Sequence, residues 1–346
     1  MNPAPRQGEQ IKTDDDNGRV VLSKKRWVRA SAAVFAAALG IVVLWYPGNR
    51  IISPRNAVRV IRSNVDHLDG LGQNLSTLRI GTFNIAHGRG TASSNWQGGD
   101  EAERLARLRE IAQLIKDRRL DVLVLNEVDF SAWWSGHFNQ AEFIASAAGF
   151  PYRVEQRNID AATPLFCFRF GNAVLSKYPI IEASLIEFPA YSKLESVLAG
   201  KKNGVLCKIQ VGEEQTIGVA AIHLDDRSES IRIESVKRIM RRCEACDYPI
   251  FWAGDFNSSP KGFPHVELDT SGNSALSIII EEKKWKTLPG NVPGKDEFTY
   301  PTSDPSVVID WVLVPLDWSI ISKEIPLVNL SDHLPVFVQA KLNQDP

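Results

Sequence analysis

Polar side chains that can act on water and on phosphate follow the ends of apolar segments of the chain. The clearest pair is Asp255 and Asn257, which come directly after the apolar run PIFWA within the sequence GDFN. Because the two positions are two apart at the end of a predicted strand, both side chains can project toward one side. A carboxylate can take a proton from water, and a neighbouring carboxamide donates a hydrogen bond without adding negative charge. Taken alone, the pair is equally consistent with a polar turn.

Other polar residues also follow or interrupt apolar segments. Glu127 follows DVLVLN and His223 lies near the end of TIGVAAIHL, where a solvated loop carboxylate and a hydrogen-bonded core histidine would be ordinary. Asp310 lies within VVIDWVLV, and an ionised carboxylate buried there without a partner would cost several kcal/mol. His333 is the expected partner of Asp310. The full set of such residues is Asn84, Glu127, His223, Asp255, Asn257, Asp310, Asp332 and His333.

Alternating strands and helices are predicted to position these residues. LRIGTFNIAHG predicts a strand that ends in a turn near Asn84. Asp100 and Glu103 have the spacing of a capping box at the start of an amphipathic helix. DVLVLNEVD then has the nearly continuous apolar character of a strand buried on both faces. Strand, helix and buried strand, with polar residues at the strand ends, indicate an α/β fold.

The second half of the chain continues this pattern. Strands are predicted at GNAVLSKYPI, NGVLCKIQV and TIGVAAIHL, and RSESIRIESVKRIMRRC predicts an amphipathic helix before the GDFN segment. Residues 258–306 are predicted to be irregular, apart from a helix around residues 274–285. VVIDWVLVP and PVFVQAKL are predicted as the last two strands.

Charge is unevenly distributed along the chain. It has 346 residues, of which 44% are hydrophobic, and a formal net charge of −1. The residues before Leu78 include 11 basic and 6 acidic residues, whereas residues 78–342 include 29 basic and 34 acidic ones. The presumed domain is therefore mildly acidic, which argues against tight sequence-independent binding of DNA.

The cysteines assign no metal. Cys243 and Cys246 form a C-x-x-C sequence at the end of a predicted helix, and no second pair completes a zinc site. We interpret them as two thiols at a helix end, with a disulfide in an oxidising compartment as the alternative.

The N-terminal region is predicted to tether the domain to a membrane. Residues 1–26 form a polar and basic tail that is predicted to be disordered. Residues 27–46 are predicted to be a transmembrane anchor, because the charge-free run within them is flanked by aromatic residues. The run lacks the small residues of a cleavage site, so an uncleaved anchor is favoured over a signal peptide. Residues 47–77 are predicted to be a connector, and the slight excess of Lys and Arg before the span places the domain outside the cytoplasm.

Taken together, these residues and their order resemble the endonuclease/exonuclease/phosphatase superfamily, in a membrane-anchored, bacterial type of member. This metal-dependent group contains pancreatic-type deoxyribonucleases, abasic-site endonucleases, neutral sphingomyelinases and inositol-polyphosphate 5-phosphatases. The resemblance spans residues 78–342, which leaves a tail of 343–346. It rests on six segments in the family order: TFN at 82–84, NE at 126–127, IHL at 222–224, GDFN at 254–257, IDW at 309–311 and SDH at 331–333.

The resemblance implies a four-layer α/β/β/α sandwich of two mixed β-sheets flanked by helices. It also implies a Mg²⁺ site, with Mn²⁺ as the alternative ion. Glu127 would be the principal metal ligand, with Asn84 and Asp332 nearby and able to share the ion. Magnesium prefers oxygen ligands and keeps several waters, so one or two carboxylates are enough.

The resemblance implies catalytic roles for the remaining residues. Asp255 would position or deprotonate the attacking water, and Asn257 would donate to a phosphate oxygen, as Asn84 and His223 also could. His333, oriented by Asp310, would face the scissile phosphate. His223 would be the second histidine of the deoxyribonuclease and sphingomyelinase branches, a candidate general acid toward the leaving oxygen.

The chain also departs from the abasic-site endonucleases. These carry an acidic residue two positions after the first asparagine, where Ala86 stands here, and a mid-chain tyrosine without a clear counterpart. The glutamate that partners the second histidine in deoxyribonucleases cannot be placed from the sequence. DNA repair is therefore disfavoured.

We expect a membrane-tethered, Mg²⁺-dependent phosphodiesterase that acts on a lipid headgroup or another small phosphodiester. The adjacent Trp133 and Trp134 would then lie against the lipid interface. A nonspecific extracytoplasmic nuclease is the second hypothesis, and a non-catalytic binding protein on the same fold is the third. No protein partner is predicted. The arginines that could contact phosphate are Arg89, Arg153, Arg157 and Arg227.

Overall fold

The computed structural model describes residues 24–52, 58–62, 75–162, 167–192 and 201–343. Most of the predicted N-terminal tail and the end of the C-terminal tail lie outside these residues. The chain divides into two units, residues 1–48 and residues 49–346.

A helix, α1 (Lys24–Ile52), covers the segment predicted to be an anchor. Its apolar side chains Phe35, Leu39 and Leu44 are exposed. Within the described residues, however, no helix has the length and apolar character needed to cross a membrane. The transmembrane span predicted for residues 27–46 is therefore not confirmed.

The second unit contains all the strands that the structure describes. They are β1 (Val58–Arg62), β2 (Thr77–Asn84), β3 (Val122–Ala132), β4 (Tyr152–Ala162), β5 (Cys167–Ser176), β6 (Ile180–Glu187), β7 (Asn203–Gln210), β8 (Thr216–His223), β9 (Ile250–Asp255), β10 (Trp285–Lys286), β11 (Asp310–Pro315), β12 (Trp318–Glu324) and β13 (Val336–Leu342). One sheet has seven strands in the order β1-β4-β5-β3-β2-β13-β12, and the other has six in the order β10-β11-β9-β8-β7-β6. The predicted connector, residues 47–77, thus contributes the edge strand β1, which pairs antiparallel with β4.

Four α-helices follow among the described residues of the second unit: α2 (Glu101–Asp117), α3 (Gln140–Ala148), α4 (Glu229–Glu244) and α5 (Ala275–Glu281). The predicted capping box is present at the start of α2, where Asp100 accepts from the backbone N–H of Glu103 and donates its own N–H to that side chain, both at 2.9 Å. The helix predicted around residues 274–285 ends earlier, because Trp285 enters the short strand β10. Cys243 and Cys246, at the end of α4, are free thiols.

Three apolar cores separate four layers. The central core lies between the two sheets and includes Val124 and Val174 from one sheet and Phe251 from the other. A second core packs α2 and α3 on the seven-stranded sheet, and a third packs α4 and α5 on the six-stranded sheet. Each sheet contains parallel and antiparallel pairs. The predicted sandwich of two mixed sheets with flanking helices is confirmed.

Two parallel pairs bring the polar strand ends together. β2 runs parallel to β3, with Asn84 opposite Asn126. β8 runs parallel to β9, with His223 opposite Asp255, and β11 places Asp310 on the other side of Asp255. Since the carboxyl ends of parallel strands meet at one edge of a sheet, the side chains that follow them gather there.

Gly254, at the end of β9, has no room for a side chain. Its φ is 147°, and a Cβ atom there would lie 1.8 Å from the carbonyl oxygen of Ile222 on β8. We expect Gly254→Ala to destabilise the protein by ~1–3 kcal/mol, through backbone strain and separation of β8 from β9. Chemical denaturation of the purified chain measures this. Gly290→Ala is the matched control, because a Cβ atom at Gly290 meets nothing within 4 Å; equal losses for the two variants would contradict the expectation.

Candidate active site

Asp310 and His333 form a buried hydrogen-bonded pair, as the sequence predicted. The His333 Nδ1 atom lies 2.9 Å from Oδ2 of Asp310, and the imidazole also packs 4.7 Å from the ring of Tyr300. Burial lowers the pKa of His333, but the carboxylates of Asp310 and Asp255 outweigh it and raise the pKa to about 10. His333 is therefore an imidazolium at neutral pH, with Nε2 directed toward Asp255 at 3.9 Å.

Asp255 is buried at the centre of the site. Its Oδ2 atom accepts a hydrogen bond from Nδ2 of Asn84 at 3.0 Å, and Oδ1 accepts from the backbone N–H of Asn257 at 2.9 Å. Burial raises the pKa of Asp255 to about 6, against the opposing charge of His333. A carboxylate with this pKa is mostly ionised at neutral pH and is still basic enough to accept a proton from water.

The two asparagines of the predicted site are placed differently. Asn84 is fully buried, and its Oδ1 atom accepts from the N–H of Ala86 at 3.0 Å. Asn257 has a φ of 47°, and its Nδ2 atom donates to the carbonyl of Leu224 at 3.2 Å. The Asn257 amide is partly exposed at the mouth of the site, where its second N–H can reach a substrate oxygen.

His223 lies beside both carboxylates but makes no hydrogen bond with any described residue. Its Nε2 atom is 3.6 Å from Oδ2 of Asp255 and 3.8 Å from Oε1 of Glu127, and neither ring nitrogen has a partner. The ring is 2% exposed. Burial and the nearby Lys202 hold the pKa of His223 well below its usual value, so the imidazole is neutral. An unpartnered buried imidazole is costly unless a ligand pairs with it.

Glu127 projects from β3 into the same space. Its backbone has a φ of 51°, a strained value for a residue other than glycine. Burial favours the protonated acid, but His87, Lys202 and Arg89 together hold the pKa of Glu127 far below its usual range. The carboxylate is therefore ionised.

Arg89 joins Glu127 to Asp332. Its guanidinium lies 3.3 Å from Oε2 of Glu127 and 2.5 Å from Oδ2 of Asp332. The two carboxylates are about a quarter exposed, at 25% and 24% of the side chain. Asn84 makes no hydrogen bond to either of them in the described part of the chain, and it is linked to Asp332 only through the Ser331 hydroxyl.

Glu127 and Asp332 fit the requirements of a divalent cation. Two partly exposed carboxylates that converge on one guanidinium supply the hard oxygen ligands that Mg²⁺ takes, and their exposure leaves room for its waters. A second cluster, Asp255, Asp310 and His333, has ligand atoms within 4.8 Å of one another. That cluster fits less well, because a protonated His333 has no lone pair to offer. The Asn84 Oδ1 atom accepts one hydrogen bond, from the N–H of Ala86, and retains a second lone pair.

A second histidine–aspartate pair was not predicted from the sequence. His87 Nδ1 lies 2.7 Å from Oδ1 of Asp129, and His87 Nε2 lies 3.5 Å from Oε2 of Glu127. Asp129 is fixed in turn by the indole N–H of Trp134 at 2.8 Å. Burial lowers the pKa of His87, but Asp129 and Glu127 raise it overall. His87 thus orients the Glu127 carboxylate. The sequence signal that could have identified His87 is its position three residues after Asn84, the last residue of the TFN segment.

The four arginines have different roles. Arg153 and Arg157 are buried in ion pairs with Glu155, and Arg157 also pairs with Asp160 at 3.0 Å. They stabilise the seven-stranded sheet, so the suggestion that they contact phosphate is wrong. Arg89 pairs with the carboxylates of Glu127 and Asp332, and Arg227 lines a cavity beside His223.

The two adjacent tryptophans differ in exposure. Trp133 is 51% exposed, whereas Trp134 is half-buried among Trp96, Phe168 and Phe170. The expected position of the two tryptophans against a lipid interface stays a prediction.

Comparison with known proteins gives a family and a fold. Residues 81–333 match the profile described as the endonuclease/exonuclease/phosphatase family. No curated protein sequence matches the chain.

Solved structures share the fold at low sequence identity. An endonuclease/exonuclease/phosphatase from Beutenbergia cavernae is 20% identical with a TM-score of 0.57, over 79% of this chain and 73% of that one. The human Nocturnin catalytic domain with bound sulfate is 14% identical with a TM-score of 0.52, over 84% and 99%. A mannosyl-6-phosphatase from Bacteroides thetaiotaomicron is 14% identical with a TM-score of 0.50, over 76% and 99%.

If His87 orients Glu127, its removal should weaken metal binding. We expect His87→Asn to reduce the affinity for Mg²⁺ by ~10-fold or more, as loss of a group that holds a metal-binding carboxylate typically does. Asparagine tolerates the left-handed backbone of His87, whose φ is 54°. Calorimetric titration with Mg²⁺ measures the effect. His265→Asn is the control, because His265 is exposed and has a φ of 55°; an unchanged affinity in His87→Asn would refute the role.

Proposed function

The chain belongs to the endonuclease/exonuclease/phosphatase family, and we propose that it is a Mg²⁺-dependent phosphodiesterase that cleaves its substrate by in-line attack of water. One observation carries the proposal. A basic carboxylate, Asp255, lies between a protonated histidine, His333, and a neutral one, His223, beside the ionised Glu127. Members of this family are generally phosphoric ester hydrolases, and these groups suit that chemistry.

Each residue has a distinct task in the proposed reaction. Glu127 and Asp332 would hold the metal, which would supply positive charge for the phosphate oxygens. Asp255 orients the attacking water and takes its proton on a carboxylate oxygen. The imidazolium of His333 and the amide of Asn257 donate to the non-bridging oxygens, where negative charge grows in the transition state.

His223 is proposed to act on the leaving oxygen. In the free protein its imidazole is neutral, so it does not carry the extra proton at neutral pH. A bound phosphate places negative charge beside the ring, which raises the pKa and favours protonation. His223 would then donate a proton to the departing alcohol.

The proposed substrate is a lipid headgroup or another small phosphodiester. The support is indirect: the domain is mildly acidic, so it lacks the general attraction for a polyanion that a nuclease needs. Among the arginines suggested as phosphate contacts, two are committed to internal ion pairs. A nonspecific nuclease therefore remains the second candidate, and a non-catalytic protein would not need to keep this complete set of groups.

The proposed location rests on sequence alone. The charge-free run within residues 27–46 supports a membrane tether with the domain outside the cytoplasm, although the described part of α1 does not meet the requirement for a span. Fractionation of cells that express the full chain, with a carbonate wash of the membranes, tests this proposal.

Removal of the proposed base or of the imidazolium should abolish turnover. We expect Asp255→Ala and His333→Ala each to lower kcat by ~10²–10⁴-fold while the fold persists, as loss of acid–base and charge-stabilising groups does. The measurement is hydrolysis of bis(4-nitrophenyl) phosphate with Mg²⁺ and with EDTA, together with circular dichroism.

The controls for this experiment are Asp304→Ala and His265→Ala, because both residues are exposed. Wild-type rates in Asp255→Ala or His333→Ala, or rates that EDTA leaves unchanged, would remove the mechanism. Parallel assays with sphingomyelin, a phosphomonoester and DNA distinguish the substrate classes. Cleavage confined to DNA would favour the nuclease.

The Asp310–His333 pair gives a pH dependence of defined sign. Because Asp310 raises the pKa of His333 to about 10, the imidazolium persists through neutral pH and is lost as the pH rises through that value. Asp310→Asn removes part of this stabilisation, so the alkaline limb of kcat should move to lower pH. A pH–rate profile between pH 6 and about 10.5 tests this. An unchanged alkaline limb would show that the imidazolium is not required.

A further inference from the structure

A cavity of about 210 Å³ opens beside His223 and Glu127. By the volume that liquid water occupies, this is space for roughly seven water molecules, and so for a substituent of several heavy atoms. Its wall includes Asn158, Phe170, Gly171, Lys202 and Asp226. None of these residues has a role in the proposed reaction, so the cavity is available for the part of a substrate that lies beyond phosphorus.

A β-bulge turns Asn158 into this cavity. The pairing of β4 with β5 shifts register between Arg157 and Ile159, so Asn158 is the extra residue. A bulge of this kind re-aims a side chain. The opposite residue is Gly171, where a Cβ atom would lie 2.0 Å from the Gln156 carbonyl oxygen. Gly171 thus allows the close approach of the Gln156 carbonyl at this bulge.

The amide of Asn158 is oriented by two hydrogen bonds that its oxygen accepts. Oδ1 accepts from Nε2 of Gln156 and from the backbone N–H of Asn203, both at 3.1 Å. Asn158 is 7% exposed, and its Nδ2 atom has no hydrogen-bond partner among the described residues. Because the oxygen is fixed by two donors, the nitrogen faces the cavity with two free N–H groups. A buried donor in this state is satisfied by a ligand or by water.

The cavity wall carries three basic side chains, Lys201, Lys202 and Arg227, and each is ion-paired; Arg227 Nε lies 3.9 Å from Asp226. Lys202 lies 3.1 Å from Asp226, and the neighbouring Lys201 lies 2.9 Å from Glu187. Ion pairs offer donors and acceptors together, which suits hydroxyl groups, since each hydroxyl both donates and accepts. A second phosphate or carboxylate on the substrate would have to compete with Asp226 for Lys202. The wall therefore favours an uncharged polar group.

Phe170 supplies one apolar face. Its ring is held edge-on against the imidazole of His87, with centroids 5.0 Å apart, and it lies against Trp134 at 5.7 Å. One flat apolar side with polar groups around it is the pattern expected for an alcohol that carries hydroxyls on a carbon chain or ring.

We propose that this cavity binds an uncharged, hydroxyl-rich alcohol group of the substrate, such as a glycerol or sugar residue esterified to the phosphate. Asn158 donates to one hydroxyl, the Lys202–Asp226 pair binds others, and Phe170 packs against the carbon skeleton. This inference rests on the proposed phosphodiesterase activity, and it names the substrate class. The same polyol could belong to a soluble diester or to a phospholipid headgroup.

Matched substrates test the proposal in two arms. In the soluble arm, diesters of phosphoric acid carry 4-nitrophenol on one side and either glycerol or 1-propanol on the other, and all products are quantified. In the lipid arm, vesicles contain phosphatidylglycerol or phosphatidylpropanol. The members of each pair have equal charge and differ only in hydroxyl groups, so the ratio of kcat/KM values for glyceryl and propyl substrates reports the cavity.

We expect the full-length protein to prefer the glyceryl substrate by ~10-fold or more, because two or more hydrogen bonds to buried polar groups are made only with the hydroxyls. Asn158→Asp keeps the oxygen that Gln156 and Asn203 bind, but it loses the donor. Asn158→Asp should bring the ratio of kcat/KM for glyceryl and propyl substrates toward 1, and Asp226→Asn should do the same. Because the readout is a ratio, a uniform loss of activity from the added charge does not affect it.

Asn291→Asp is the control, since Asn291 is exposed and far in sequence from the cavity residues; its ratio should equal that of the wild type. A preference in the soluble arm supports a soluble diester, and one confined to vesicles supports a lipid headgroup. Equal rates for glyceryl and propyl substrates in both arms would overturn the proposal, as would an unchanged ratio in Asn158→Asp. Hydrolysis of bis(4-nitrophenyl) phosphate in the same preparations tests the phosphodiesterase activity separately.

Discussion

The side chain of Asn126 holds the two sheets in register at the active site. It projects from β3 of the seven-stranded sheet, and its oxygen accepts from the backbone N–H of Asp255 at 2.9 Å. Its nitrogen donates to the carbonyl of Ile222 on β8 at 3.0 Å and to Asn172 at 2.9 Å. All its polar atoms are thus used at zero exposure. Because Glu127 is the next residue, this amide also fixes the position of Glu127 relative to Asp255 on the other sheet.

Three histidines near the Asn126 contact between the two sheets show how the environment sets the charge of one residue type. His333 and His87 each have a carboxylate on Nδ1, and both have raised pKa values. His223 has none there, so burial dominates and its pKa falls. Desolvation acts on all three rings, and the position of a single aspartate decides the outcome. The site therefore holds a fixed positive charge beside Asp255 and a neutral ring where the leaving group would lie.

The sequence predicted the fold and the strand-end residues because both depend on local patterns. Apolar runs that end in polar residues identify Asp255 and Glu127 without knowledge of the partner strand. Contacts between distant segments could not be predicted in this way. The pairing of His87 with Asp129 depends on the φ of His87, and the ion pairs of Arg157 depend on the register of β4. For the same reason Arg157 was misassigned to phosphate, since its burial follows from pairing with Glu155 and Asp160 across 2–3 residues of one strand.

The groups proposed for chemistry and those proposed for selectivity occupy different parts of the two sheets. The proposed catalytic residues lie at the ends of inner strands. The parallel pairing of these strands and their link through Asn126 leave the residues little freedom to move. One wall of the cavity is formed by Asn158 of β4 and by Phe170 and Gly171 of β5, where a bulge can change the direction of one side chain without disturbing the core. Gln156 and Asn172 connect the two parts, since Asn172 binds both Asn126 and Gln156, and Gln156 binds Asn158. This chain of amides makes the orientation of the cavity donor depend on the same link that fixes Glu127 and Asp255.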